Sequence, residues 1–178
     1  MKKKEYSIDL VGGYVQIEDV NTFMQNIETF SSHHDIIIQV LNAKMVCGKN
    51  HLYSAAFHAY RAAKEHTQTT HSVSMEIILY ASGERQIKLA LEKMGVSKGK
   101  NQIAIVFLDL LKRDNTYMEQ SIKKLLKDMM IKRDDSLLSA SIEKVKNFGI
   151  TKKERETVSK QNYHHLVLER IALVDIIK

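Results

Sequence analysis

Three uninterrupted apolar runs constrain the fold of this chain more than any other feature. They are "IIIQVL" at 36–41, "MEIILYA" at 75–81 and "NQIAIVFLD" at 101–109. Short runs rich in Val, Ile and Leu, without polar alternation, are typical of strands that are buried on both faces. The sequence therefore predicts three buried strands, and such strands need a cover of helices.

The segments beside these runs have the periodicity of amphipathic helices. Apolar residues recur at Val20, Phe23, Met24 and Ile27, the spacing of one helix face. An alanine-rich stripe runs through residues 50–66 in the same way. Helices are therefore predicted on both sides of the first apolar run.

Two further patterns complete the prediction of elements. "YSIDLVGGYVQI" at 6–17 indicates two short strands joined in a hairpin at Gly12–Gly13. After the third apolar run only helical patterns follow. The last of them opens with a capping box of Thr151 and Glu154, and a break is expected near Ser159.

Alternation of strands and helices followed by helices alone predicts an α+β (mixed α/β) fold. We expect a single sheet of about four to five strands, flanked by helices, with a helical C-terminal part. No linker, repeat or low-complexity segment divides the chain. We therefore expect one domain over residues 1–178, with the sheet in 1–111 and helices in 112–178.

The sequence carries no signature of a catalytic or metal site. Cys47 is the only cysteine, which excludes an internal disulfide. The histidines of the adjacent pairs His33–His34 and His164–His165 diverge on a helix or a strand. His51 and His58 lie two helical turns apart, about 10.5 Å, which is too far to share one ion. We expect no metal, no cofactor and no catalytic residue.

The charge indicates a partner of opposite sign. The chain has a net charge of +6, which suits nucleic acid or an acidic protein, although solubility alone would also explain it. The N-terminus "MKKKEYSIDLV" lacks the apolar segment of a signal peptide, and no run approaches the roughly 20 apolar residues that span a bilayer. We expect a cytoplasmic protein with no membrane contact.

The turn at Gly48–Lys49 invites comparison with a phosphate-binding loop. That motif needs an earlier glycine and a following Ser or Thr, but Ala43 and Asn50 occupy these places. The comparison therefore fails. Two interpretations are left: a plain helix start with an exposed lysine, or a weak phosphate site at free N–H groups.

A second turn lies in "LYASGERQIKLALEKMGV" at 79–96. We expect a strand that ends here, Ser82 as the cap of the next helix, and Gly83 as the relief of a tight entry. Leu91 is among the positions predicted to face inward, and Gly95 is predicted to end the helix in the left-handed conformation. Arg85 is left exposed and available to a partner.

The helix at 50–66 has two polar or aromatic faces beside its alanine stripe. The first face holds His51, Ser54, His58, Arg61 and Glu65. The second holds Tyr53, Phe57, Tyr60 and Lys64. Aromatic rings beside basic groups are typical of proteins that bind single-stranded RNA. The alternative is that the rings pack beneath neighbouring elements and the polar face is merely hydrated.

Several blocks, in order, resemble one known family. They are "QVLNAKMVCGKNHLYSAAFHAYRAAKEH", "MEIILYASGERQIKLALEKMGV", "NQIAIVFLD" and the ending "FGITKKERETVSKQNYHHLVLERIALVDIIK". The chain resembles the small kinase-binding subunit of the KEOPS complex, the PRPK-binding protein family, in its archaeal form. The resemblance spans roughly residues 36–178, and "YASGERQI" is its most specific part.

The resemblance implies a particular function. KEOPS installs the threonylcarbamoyl group of threonylcarbamoyladenosine in tRNA. The family member is not an enzyme; it binds and helps to activate the kinase/ATPase subunit, and through it joins the threonylcarbamoyl-transferase subunit. The archaeal form also binds the single-stranded CCA 3′ end of tRNA. The family fold is a mixed sheet flanked by helices.

Within the matching blocks, chemistry selects candidate contact residues. For tRNA these are Lys49, His51, Arg61, Lys64 and Arg85. If the elements before the two glycine turns were parallel neighbouring strands, both turns would lie at one sheet edge. For the kinase we select apolar positions expected to face solvent, Leu166, Ile171 and Val174; the alternative is that they belong to the core.

Two other functions stay open from the sequence. One is a small α/β nucleotide-binding protein or enzyme with its site at the Gly83 turn. The other is a protein adaptor that binds the kinase but not RNA. Stabilisation by a nucleotide alone would favour the first, and a tRNA titration separates the second from the KEOPS function.

Overall fold

The structure is a computed structural model and describes residues 6–177. For residue 177 it describes the backbone alone. The basic segment 1–5, part of the N-terminus that the sequence predicts not to be a signal peptide, lies outside the described residues.

One antiparallel sheet forms the centre of the described chain. Its strands are β1 (Ser7–Ile17), β2 (Ile37–Asn42), β3 (Gly99–Asp109) and β4 (Lys132–Arg133), in the order β2-β3-β1-β4. β1 and β3 pair along their whole length, from Ser7 opposite Asp109 to Ile17 opposite Gly99. β2 pairs with β3 and β4 pairs with β1, so the two long strands form the middle of the sheet.

Helices cover both faces of the sheet. They are α1 (Val20–His34), α2 (Lys49–Lys64), α3 (Val73–Ser82), α4 (Ile87–Met94), α5 (Asn115–Asp128), α6 (Ile142–Phe148), α7 (Lys152–Arg155) and α8 (Tyr163–Ile177). Single turns of 3₁₀-helix lie at Ala43–Met45, Asp135–Leu138 and Lys160–Asn162. The fold is therefore the α+β fold, one sheet with flanking helices, that the sequence predicts.

The two faces of the sheet bury separate apolar clusters. On one face, Leu10, Val106 and Leu41 pack with the alanines of α2 and with α3, α6 and α8. On the other, Val11 and Phe107 pack with α1 and α5. Because strand side chains alternate between faces, each strand supplies both clusters.

The predicted hairpin at Gly12–Gly13 is wrong, because β1 runs without interruption from Ser7 to Ile17. The glycines are explained by close approach of another segment. A Cβ at Gly12 would lie 2.4 Å from the Asp134 carbonyl oxygen, and one at Gly13 would lie 2.7 Å from the Ile131 side chain. Glycine is required here for backbone proximity rather than for a turn.

The second apolar run is a helix, not the predicted strand. It forms α3, capped at its start by the Ser72 side chain, which accepts a hydrogen bond from the Met75 N–H. Residues 76–82 are all buried, so this part of the helix is covered on every side, with Glu76 and Ser82 among mostly apolar residues. Periodicity does not distinguish a buried strand from a buried helix in a continuous apolar run, so the Ser72 cap was the sequence signal for a helix here.

The glycine turn after α3 also differs from the prediction. Gly83 ends α3 in the left-handed conformation, with φ +68°, and α4 begins after Gln86 without a side-chain cap. Ser82 lies inside α3, so it does not cap α4. Leu91 is exposed rather than inward, and Gly95 is extended rather than left-handed.

The remaining predicted elements are found. α1, β2, α2, β3 and α5 lie where the patterns place them, and the Thr151–Glu154 capping box is present. The predicted break near Ser159 is the 3₁₀ turn before α8. The sequence did not indicate β4, whose two residues are both exposed.

Candidate functional surfaces

One side of α2 presents a line of aromatic and basic side chains. Tyr53 and Phe57 are 41% and 42% exposed, although both are large apolar residues. Because positions three or four residues apart share a helix face, they align with three basic residues. We call this line the α2 stripe: Lys49, Tyr53, Phe57, Arg61 and Lys64.

The basic and aromatic groups of the α2 stripe lie close to one another. The Arg61 guanidinium carbon lies 6.0 Å from the Phe57 ring centre. The Lys64 ammonium lies 6.0 Å from the ring centre of Tyr60, which itself lies 4.4 Å from the Tyr6 ring centre. The stripe therefore combines positive charge with partly exposed ring faces along about 22 Å of helix.

His51 is not part of this surface. It is 1% exposed, and its Nδ1 accepts the Cys47 N–H at 3.0 Å. Nε2 therefore carries the proton and donates to the Ala81 carbonyl at 2.7 Å. Burial lowers the pKa of His51 to about 4, so the ring is neutral at pH 7. The expectation that His51 is exposed to RNA is wrong; it joins α2 to α3.

Arg61 of the α2 stripe is ion-paired with the last helix. Its guanidinium contacts the Asp175 carboxylate, which also accepts hydrogen bonds from the Tyr80 hydroxyl and, at 2.7 Å, from His58 Nδ1. Burial opposes ionisation of Asp175, but these three donors outweigh it and hold its pKa below the usual value. The network fastens α8 to α2 and α3.

The two glycine turns have different surroundings. Lys49 is exposed at the start of α2, which has no side-chain cap. At the other turn the Gly83 N–H donates to the Tyr80 carbonyl and the Glu84 N–H to Ser82 Oγ, 3.2 Å away. The N–H groups of Gly83 and Glu84 are therefore occupied and do not offer themselves to a phosphate. The strand–turn–helix geometry expected of a nucleotide site at Gly83 is also absent, since a helix precedes the turn.

Arg85 lies in the connection between α3 and α4. Its side chain is exposed, and within residues 6–177 it makes no hydrogen bond or ion pair. The condition that would bring the two glycine turns to one sheet edge, parallel strands, is not met, because the sheet is antiparallel. His51 nevertheless links Cys47, just before the first turn, to Ala81, just before the second.

The apolar candidates for the kinase contact are buried. Leu166 is 8% exposed, and Ile171 and Val174 are fully buried against α2 and α3. The expectation that they face solvent is therefore wrong. The exposed large apolar side chains in the described part of α8 are Leu173, at 48%, and Ile176, at 76%. We call these two residues the α8 pair.

The sequence did not single out the α8 pair. α8 reads "YHHLVLERIALVDII", with apolar residues on several sides of the helix. Such a pattern does not indicate which side meets the core. Asp175 was the residue in the sequence that could have indicated the orientation of α8. Its carboxylate lies between the apolar pairs 173–174 and 176–177 and needs polar partners, which fix the side of the helix that faces the protein.

The described residues offer little catalytic chemistry. Burial raises the pKa of Cys47 to about 12, so its thiol stays protonated and is a poor nucleophile at neutral pH. Among residues 6–177 there is no group of three or more His, Cys, Asp or Glu side chains arranged to hold a metal ion. In the same part of the chain, no helix is both long and apolar enough to cross a bilayer.

The fold and these surfaces define a small α+β protein of the binding class. Its candidate functional features are two exposed surfaces, the α2 stripe and the α8 pair. Its sequence matches the family described as kinase binding protein CGI-121 over residues 14–175. The chain belongs to this family, which confirms the resemblance to a kinase-binding subunit. It is also 29% identical over 149 residues to the regulatory protein Cgi121 of Methanocaldococcus jannaschii, covering 79% of this chain and 84% of that protein.

Proposed function

We propose that this protein is a non-catalytic, cytoplasmic subunit of the KEOPS complex. In that role it binds and helps to activate the kinase/ATPase subunit, through which it joins the threonylcarbamoyl-transferase subunit, and it binds the CCA 3′ end of tRNA. Membership of a kinase-binding family supports the first activity. The α2 stripe is the observation that supports the second activity, binding of the tRNA 3′ end.

The α8 pair is the proposed centre of the kinase contact. Leu173 and Ile176 lie one helical turn apart and leave large apolar area exposed. Neighbouring exposed apolar side chains are typical of a surface that contacts another protein. The buried side of α8, where Val167, Ile171 and Val174 are fully covered, holds the helix in place.

Charge placed at the α8 pair tests this contact. Leu173→Glu and Ile176→Glu should each weaken binding of the kinase subunit by at least about tenfold, because a carboxylate would be buried at the interface. Titration of the purified kinase subunit measures the effect. Leu111→Glu is the matched control, since Leu111 is 64% exposed in the β3–α5 connection. Equal affinity for the α8 variants and the control would contradict this placement.

The α2 stripe suits a single-stranded RNA end. Every base has a face that stacks on an aromatic ring, and each phosphate needs a nearby cation. Tyr53 and Phe57 supply exposed rings in the middle of the stripe, and Lys49 and Lys64 supply charge at its two ends. Arg61 adds a cation whose partner, Asp175, partly offsets its charge.

Removal of the RNA tail tests this second activity. We expect tRNA with its CCA end to bind more tightly than tRNA without it, at one stated salt concentration. Phe57→Ala should weaken binding of the complete tRNA by at least about fivefold, as expected for a lost stacking contact. Equal affinity for the two tRNAs would exclude recognition of the tail.

Arg85 is a further proposed RNA contact, and its variant is assayed separately. Arg85→Glu should lower tRNA affinity and reduce the slope of log affinity against log salt by about one unit. Lys88→Glu is the matched control, because Lys88 is also exposed and lies three residues away. If both variants bind tRNA like the unchanged protein, Arg85 is not a contact.

A further inference from the structure

A second aromatic and basic surface lies at the open end of the sheet. Tyr14 of β1 stands opposite Lys132 of β4 and opposite Gln102 of β3. Gln16 stands opposite Lys100 in the same way. Directly opposed residues share a face and have Cβ atoms about 5 Å apart. We call this surface the sheet patch: Tyr14, Gln16, Lys100, Gln102 and Lys132.

Within the described residues no helix covers the sheet patch, unlike the apolar core on the same face. Tyr14 is 40% exposed, and both lysines are exposed. In the described part of the chain neither Lys100 nor Lys132 makes an ion pair. The carboxylate of Glu18 accepts a hydrogen bond from the Gln16 amide at 3.0 Å. Two cations therefore flank an exposed ring without compensation by salt bridges.

The sheet patch continues from the start of α2. It lies on the face of the sheet that packs against α2. Leu10 and Tyr14 point to the same face of β1, Val106 and Gln102 to the same face of β3, and Leu10 and Val106 belong to the apolar cluster that includes α2. Lys49 interacts electrostatically with Asp135, which accepts the Gly12 N–H at 3.0 Å. Gly12 is two residues from Tyr14 on the same face. The α2 stripe and the sheet patch thus meet near Lys49.

We propose that the sheet patch binds a stretch of RNA adjoining the 3′ end held by α2. An unpaired base would stack on Tyr14, Lys100 and Lys132 would each contact a phosphate, and Gln102 would hydrogen-bond a base edge or a 2′-hydroxyl. An exposed ring on an antiparallel sheet, flanked by cations, is an established platform for bases. This inference rests on the proposed RNA function and extends it beyond the tail.

Charge favours RNA over a protein as the occupant. The chain has a net charge of +6, and the patch contains two unpaired lysines and one aromatic ring, without aliphatic side chains. Protein interfaces place apolar anchors at their centres and disfavour lysine there. A polyanion gains from both lysines through release of its counterions.

Two RNA probes separate the sheet patch from the α2 stripe. One is complete tRNA, and the other is a short single-stranded oligonucleotide that ends in CCA. The double variant Lys100→Glu with Lys132→Glu should bind tRNA at least about tenfold more weakly at moderate salt, with a salt slope lower by about two units. Tyr14→Ala should weaken tRNA binding by at least about fivefold. Both variants should bind the oligonucleotide as the unchanged protein does.

The control carries the same change of charge on the opposite layer. Lys123→Glu with Lys127→Glu alters two exposed lysines of α5, which packs on the other face of the sheet. This control should bind tRNA more tightly than the sheet-patch double variant. Equal loss of affinity in the two double variants would overturn the proposal, because net charge alone would then explain the effect.

The outcome also separates this proposal from the proposed function. If the unchanged protein binds the oligonucleotide and the sheet-patch variants bind tRNA normally, the sheet patch is not a site while the α2 stripe is. If the unchanged protein binds neither RNA, both ideas are overturned. Melting temperatures of all variants, expected to match that of the unchanged protein, ensure that lost binding is not lost folding.

Discussion

His51 lies in the interior between α2 and α3, where both ring nitrogens have backbone partners. It accepts from the Cys47 N–H and donates to the Ala81 carbonyl, so it satisfies two groups that would otherwise be buried without a partner. Its function is therefore structural. A buried donor or acceptor without a partner costs about 1–3 kcal/mol.

The pH dependence of stability provides a test of this role. Burial lowers the pKa of His51 to about 4 in the folded protein, from 6.5 ordinarily. Between these values the unfolded chain binds more protons, so the stabilisation by neutral His51 is complete above pH 6.5 and is lost as pH falls toward 4. The loss amounts to about 3 kcal/mol.

His51→Gln removes this titration while it keeps a donor for Ala81. We expect the variant to be less stable at pH 7.5, and the difference from the unchanged protein to shrink as pH falls to 5. Denaturant unfolding at both pH values gives the two free energies of unfolding. A difference that is constant with pH would show that His51 does not titrate in this range.

The exposure of single residues could be predicted where it depends only on the position of the residue around its helix. Tyr53 and Phe57 lie outside the alanine stripe, and both are exposed. His51 was placed wrongly because it lies at the border of the stripe. There burial depends on Ala81, which is thirty residues away in sequence, and helical periodicity carries no information about such a partner.

At the scale of elements, α8 is held by one polar network on an otherwise apolar side. Asp175 collects hydrogen bonds from Tyr80, His58 and Arg61, which belong to α3 and α2. Burial, and then the hydrogen bond to Asp175, raises the pKa of Tyr80, so the phenol remains a proton donor at any physiological pH. The network fixes the rotation of α8 and so the exposure of the α8 pair.

Asp175→Ala tests whether this network orients α8. The variant should lose about 2 kcal/mol of unfolding free energy, because three donors lose a charged acceptor that is half-buried. Amide hydrogen exchange should increase within α8 more than in the β1–β3 pairing. The matched control is Asp128→Ala, which breaks an exposed ion pair with Lys124 and should change stability by less than about 0.5 kcal/mol. Equal loss in both variants would contradict the assignment.

Elements with distinct periodicity could be predicted, and elements without it could not. α1 and α5 alternate apolar and polar faces and were placed correctly. α3 is buried on all sides, so its sequence has no polar face to reveal the helical period. β4 has two residues and no apolar pattern, so nothing in the sequence distinguishes it from a loop.

For the whole molecule, the fold class followed from the sequence but the arrangement of strands did not. The order β2-β3-β1-β4 brings together strands that are far apart in the chain, and all pairs are antiparallel. Local patterns do not encode such long-range pairing. This arrangement joins Tyr14 to Lys132 and Lys100 across three strands, so the sheet patch could be recognised only in the structure.

The whole molecule also brings the two proposed surfaces side by side. The ion pair between Arg61 and Asp175 joins α2, which carries the α2 stripe, to α8, which carries the α8 pair. In the proposed function, the kinase subunit and the RNA end would therefore bind to neighbouring helices. We propose that the α2 stripe and the α8 pair are two surfaces with separate ligands.

A crossed binding measurement distinguishes two separate surfaces from a single shared one. Leu173→Glu and Phe57→Ala are each titrated with the purified kinase subunit and with complete tRNA. We predict that Leu173→Glu loses kinase affinity and keeps tRNA affinity, and that Phe57→Ala shows the reverse. The account is contradicted if each variant, while folded, loses affinity for both ligands or for neither.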